Sequence, residues 1–229
     1  MELKTLEVAG FSAALHGMRN PKNSWLKSDS TLFYSKLPAI GPADLKLAQS
    51  LIAGGPVHSK FLRQIMVWVD IKAPIYWWSE FDTYKVGVVR DSCSTMHTLT
   101  KTINKYMDTP EIKAWINDDS NIAESDFISD LFEVDPKDKI TSDILMKNFK
   151  EMCQIMLHGE LTETDKLRLL KKVLPSSWLQ KSTVSMSYQN IRSMIIDRRN
   201  HRLPEWHRDF ILWARQLPYA DELLFHNLP

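Results

Sequence analysis

Hydrophobic and polar residues alternate between Ile65 and Ile71: Ile65, Val67, Val69 and Ile71 fall on one side of an extended chain, and Met66, Trp68 and Asp70 on the other. This period of two predicts a strand with both faces largely covered, ended by Ala73 and Pro74. Proline is tolerated in the first helical turn, where its missing N–H loses no partner, so a helix is predicted to follow. It would carry Tyr76, Trp77, Glu80, Asp82, Thr83 and Tyr84 and be loosened or stopped by Gly87. At helical spacing Tyr76, Glu80, Thr83 and Tyr84 share one face, and Trp77, Phe81 and Lys85 another.

The same patterning predicts a short edge strand at 3–8 and a helix at 10–19 that stops near Asn20 and Pro21. A polar surface loop at 20–31 follows, then a helix from Pro42 to Ala53 ended by Gly54 and Gly55. Cys93, Met96, Leu99, Ile103 and Met107 recur at helical spacing over 92–107. On that pattern Cys93 is a packed small hydrophobe rather than a nucleophile, and His97 a hydrogen-bonded or surface histidine. The stretch 108–139 is acidic and broken by Pro110, Asn117, Asp118, Asp119 and Pro136, which predicts short helices or a peripheral insert in an otherwise single domain spanning 1–229. Amphipathic helices are predicted at 140–158 and 162–173, the second capped by Thr162 with Asp165 at the capping-box position. A strand at 181–187 leads into a helix at 188–199.

Composition narrows the function classes. A formal net charge of +1, with 25% charged residues, gives no general attraction to nucleic acid or to an anionic membrane. Two cysteines without a CxxC pair argue against a disulfide scaffold or a zinc knuckle, and the acidic segment lacks EF-hand spacing, so no metal site is expected. No apolar stretch approaches a membrane span, and no basic leader precedes an apolar core, so a cytoplasmic protein is expected. Eight tryptophans and ten methionines suit a bulky core and subunit contacts. One local concentration stands out in this neutral chain: Arg192, Arg198, Arg199, Arg202 and Arg208. Guanidinium groups meet phosphate bidentately, which points to a phosphate-bearing small molecule. The competing reading pairs these arginines with Asp197, Glu205 and Asp209 on a solvated helix.

Two blocks of residues resemble the flavin-dependent thymidylate synthases. His58, Ser59 and Phe61 are similar to that family's histidine, serine and phenylalanine run, and Lys72, Ala73, Pro74 and Ile75 reproduce its KAPI, with Tyr76 in place of phenylalanine. Further on, Val173, Leu174 and Pro175 match VLP, Asn190, Arg192 and Ser193 match NxRS, and Trp206 lies near the family's QWE. The signature RHRxxSxNExSxRY is eroded. Counted without gaps from KAPI, RHR falls on Thr83, Tyr84 and Lys85, the motif serine on Val88, NE on Arg90 and Asp91, the next serine on Cys93, and RY on Thr95 and Met96. The glutamine of the family's RQW is Glu80.

The resemblance implies an α+β fold with a mixed or antiparallel sheet flanked by helices, assembled as a homotetramer. It implies reductive methylation, or a related C5 one-carbon modification, of a pyrimidine deoxynucleotide monophosphate such as dUMP, with FAD as cofactor and NADPH and methylenetetrahydrofolate as co-substrates. Such chemistry needs no protein nucleophile, and no catalytic residue is assigned. By this resemblance His58, Ser59, Tyr84, Lys85, Asp91 and Asn190 would contact flavin, and Glu80, Arg90, Lys172, Arg192, Arg199 and Arg202 the nucleotide. The eroded signature keeps a second outcome open, a non-catalytic nucleotide-binding or interaction protein with the same fold.

Overall fold

The computed structural model describes residues 1–31, 39–117, 127–135 and 138–228. Asp118, Asp119 and Pro136, named above as breaks, lie outside the described residues. Four strands, β1 (Glu2–Ala9), β2 (Met66–Pro74), β3 (Val89–Ser92) and β4 (Leu179–Ser187), form one sheet in the order β1-β2-β4-β3. Partners run in opposite directions along β2 and β4: Tyr188 N–H donates to Ile65 O, the Thr183 hydroxyl to Asp70, and Ile75 N–H to Trp178 O. This is the antiparallel pattern. On β2, Val67, Val69, Ile71 and Ala73 are fully buried while Met66, Trp68, Asp70 and Lys72 are half-buried, as the alternation predicts.

The helices are α1 (Phe11–Arg19), α2 (Pro42–Ala53), α3 (Ile75–Phe81), α4 (Thr95–Met107), α5 (Pro110–Asn117), α6 (Phe127–Leu131), α7 (Lys139–Leu157), α8 (Glu163–Val173), α9 (Tyr188–Arg198) and α10 (Ile211–Arg215). Gly10 enters α1 at φ 94°, and a Cβ there would sit 2.0 Å from the Gln64 carbonyl oxygen, so only glycine permits that approach. Thr162 caps α8 by accepting from Asp165 N–H, and Ser187 and Asn190 make a reciprocal capping box on α9. None of the described helices is long and apolar enough to cross a membrane.

Three local expectations are corrected. The helix after KAPI stops at Phe81, so Thr83, Tyr84 and Lys85 lie on a loop and do not share a face with Tyr76 and Glu80. Asp82 there receives both hydrogen bonds of an Arg90 terminal nitrogen, which folds 82–90 back on itself. The chain then runs into β3, a strand that helical spacing over 92–107 concealed. Helix α4 therefore begins at Thr95, behind a Ser94 cap, and Cys93 is exposed rather than packed.

The chain forms two compact units. The first comprises Met1–Ile71, Asp82–Asp91 and Thr183–Pro229, and the second Lys72–Phe81 and Ser92–Ser182. The second unit has an apolar core in which Leu99, Ile103, Phe149, Met152 and Leu170 are fully buried. Ile112, Trp115, Phe127, Ile128 and Leu131, from the stretch expected to form an insert, join that core. Cys153 is also in it, and burial pushes its thiol up to about 12, which makes it inert at neutral pH. Six of the eight tryptophans are buried, in keeping with a core role.

Candidate functional site

In the first unit, the loop after α3 and the C-terminal half of α9 bring together a set of polar and aromatic groups. Tyr84 is central. Its hydroxyl donates to Asp197 Oδ2 at 3.2 Å and accepts from Arg198 Nε at 2.9 Å. The Arg198 guanidinium lies 5.6 Å from the centroid of the Tyr84 ring and 5.1 Å from that of Trp206, in cation–π range of both. Burial pushes the Tyr84 phenol up, and this outweighs the lowering by Arg198, so the hydroxyl stays protonated at neutral pH.

A second tie holds the same loop. Asn190 Nδ2 donates to the Val86 carbonyl at 2.7 Å, while Asn190 Oδ1 accepts from the Ser187 backbone N–H and hydroxyl. Gly87, at φ 74°, provides the turn beneath this amide. Lys85, between the two ties, is exposed, as are Asp91, Arg202 and His58. Arg199 is half-buried.

Other predicted residues have local partners. Ser59 is buried, and its hydroxyl is placed against Gly55 O at 3.1 Å and Gln189 Oε1 at 3.3 Å. Arg90 is paired with Asp82. Arg192 is 7% exposed and donates to the Leu224 carbonyl at 2.7 Å and the Asn227 carbonyl at 3.3 Å. Its guanidinium therefore holds the C-terminal helical turn against α9. In the second unit, Glu80 is half-buried on α3 and Lys172 is exposed on α8.

The sequence reading did not single out Asp197, Arg198 and Trp206 as one cluster with Tyr84. The adjacent Asp197 and Arg198 were visible, but nothing local said that a tyrosine more than a hundred positions earlier would bridge them. The pairing alternative for the arginines holds for Arg208, which binds Asp209, while Asp209 also receives the chain's amino terminus at 3.3 Å. Arg198 is different, since its Nε meets a phenol.

Lys85 and Arg202 present cationic ends at the surface, and Arg199 follows Arg198 directly. Three of the residues for which the resemblance implies flavin contacts are Ser59, Tyr84 and Asn190. Each has its polar groups engaged within the chain and could meet a flavin only by exchanging those bonds.

No protein-family profile matches the sequence, and no curated protein sequence matches it. Solved structures do. Two of them, both of flavin-dependent thymidylate synthase ThyX from Helicobacter pylori complexed with FAD and dUMP, align over 100% of this chain and 99% of theirs with a TM-score of 0.71. Sequence identity to each is 16%. Spread along the chain, the four antiparallel strands, the helices around them and this full-length superposition agree: the protein has the flavin-dependent thymidylate synthase fold.

Proposed function

We propose that this protein binds a pyrimidine deoxynucleotide monophosphate such as dUMP and modifies its C5 position with a one-carbon unit, using reduced flavin and methylenetetrahydrofolate as flavin-dependent thymidylate synthases do. The observation that carries this reading is the match of the entire chain to the ThyX fold. Lys85, Arg199 and Arg202 would meet the phosphate, as ammonium and guanidinium groups near Tyr84 and the end of α9. Bound flavin would supply the hydride. The protein's part would be to hold the loop 82–91 and α9 in register through Asn190 and Tyr84, and to keep the tyrosine hydroxyl protonated. Arg192 would act as a structural brace in this scheme. A cytoplasmic homotetramer remains part of the proposal.

A second reading, nucleotide binding without flavin chemistry, is favoured by one observation: Ser59, Tyr84 and Asn190 each already have their polar groups engaged by other residues of the chain. Calorimetric titration with dUMP, visible absorbance with added FAD, and complementation of a thymidine-requiring bacterium separate the two. Binding of both ligands together with growth supports the enzyme. Binding of dUMP alone supports the second reading, and binding of neither removes both.

A further inference from the structure

The first unit also contains a cationic cleft that the proposed function does not use. Its volume is about 570 Å³, within the range of roughly 300–1,000 Å³ in which small-molecule sites occur. Arg19, Lys22, Asn23, Ser24 and Lys27 line it, with Ala43 and Leu47 of α2 as an apolar floor.

Arg19 is the built part of this cleft. It is only 5% exposed, and its Nε donates to Asp44 Oδ1 at 2.5 Å and its Nη1 to Ser24 O at 3.2 Å. Asp44 is fully buried and accepts in addition from the hydroxyls of Ser28 at 2.6 Å and Ser30 at 2.5 Å. The other carboxylate nearby, Asp29, caps α2 by accepting from Ala43 and Asp44 N–H. Both acidic groups are therefore committed, one to Arg19 and the serines and the other to a helix end. The lysines add positive charge at the mouth, where Lys22 and Lys27 are exposed. A buried ion pair is a poor device for stability alone, because well-packed apolar residues serve as well. A guanidinium fixed by two hydrogen bonds at the wall of a cavity, with two exposed ammonium groups beside it, is a good device for holding a multiply charged oxyanion.

We propose that this cleft is a second ligand site, which takes a phosphate-bearing small molecule: the phosphates meet Arg19, Lys22 and Lys27, Asn23 and Ser24 offer hydrogen bonds, and the apolar part of the ligand lies on Ala43 and Leu47. The site is independent of the dUMP reading. Trp25, 42% exposed and stacked on His16 at 5.8 Å between ring centroids, stands between the lysines in sequence and serves as the fluorescent probe of the test.

The test is calorimetric titration of the full chain with inorganic pyrophosphate, done in a Lys85→Gln/Arg202→Gln background so that the proposed nucleotide site contributes little heat. Saturable binding is expected there, together with a change in tryptophan emission that Trp25→Phe abolishes. Adding Lys22→Gln and Lys27→Gln, both at exposed positions, should weaken binding about tenfold or more, the size of a lost charged hydrogen bond, with an unchanged thermal midpoint. No saturable binding in the background variant, or the same affinity after both lysines are removed, overturns the proposal. Neither result bears on whether dUMP binds the wild-type protein.

Discussion

The two units stabilise themselves by different means. In the second, Phe149 sits with its ring centroid 5.4 Å from Phe127, 6.4 Å from Tyr106 and 6.4 Å from Phe132, in a core made almost wholly of carbon. In the first, buried charges are part of the frame: Arg19 with Asp44, and Arg192 with two carbonyls. Apolar burial is non-directional and tolerates changes of partner, whereas a buried charge needs its own counterpart in place. The chemistry proposed for this protein lies on the charged frame, and the aromatic core of the second unit carries none of the chemistry proposed for the first.

The largest expected effect tests the apolar side. Phe149→Ala should cost about 4 kcal/mol in urea unfolding, because it removes a fully buried ring and leaves a cavity among rigid neighbours. A cost under about 1 kcal/mol would mean that this core collapses freely and is not the close-packed cluster described. On the charged side, Asp44→Ala should cost about 3 kcal/mol, since Arg19 would stay buried without its carboxylate.

The same carboxylate sets a pH dependence. Burial pushes the Asp44 carboxyl up, but hydrogen bonds from Ser28, Ser30 and Arg19 and the Arg19 charge outweigh it and hold the group below its ordinary 3.8. Because the folded value is depressed, the group contributes stability that is fully present above the ordinary value. That stability is lost as pH falls from about 4 downward through the folded value. Urea midpoints measured between pH 7 and pH 3 should show this acid limb in the wild type and a flatter one in Asp44→Asn.

A smaller effect is expected at α9. Asn190→Ala removes half of a capping box and the bond to Val86 O, and should cost about 1–2 kcal/mol in the same assay. If the loop 82–91 serves the nucleotide, this change should also weaken dUMP binding, which a purely local cap would not do. The smallest effect on stability belongs to Lys85→Gln and Arg202→Gln. Both sites are exposed and each variant should unfold within about 0.5 kcal/mol of the wild type. Calorimetry should nonetheless show dUMP affinity lowered about tenfold by each; unchanged affinity in both would detach these residues from the phosphate.

Most of the secondary structure was legible because it rests on local signals. The alternation Ile65–Ile71 gives β2, Pro42 and Gly54 bracket α2, and Thr162 opens α8. Strand β3 was not legible. Only four residues long and mostly exposed, it carries no periodicity strong enough to compete with the helical spacing that follows it. Its place at the sheet edge comes from pairing with β4, far along the chain, and Cys93 is carried out of the helix with it.

By itself the sequence determined most of the strands and helices, their apolar faces and the two motif blocks that resemble flavin-dependent thymidylate synthases, because each depends on neighbours a few positions apart. Only the tertiary structure decided which arginine holds carbonyls and which holds a phenol. Arg192 and Arg198 lie on one helix, and nothing in their local sequence separates them. Their roles differ because chain closure over long separations brings the C-terminal turn to one and Tyr84 to the other, and a charged group's energy depends on what stands within a few ångströms of it.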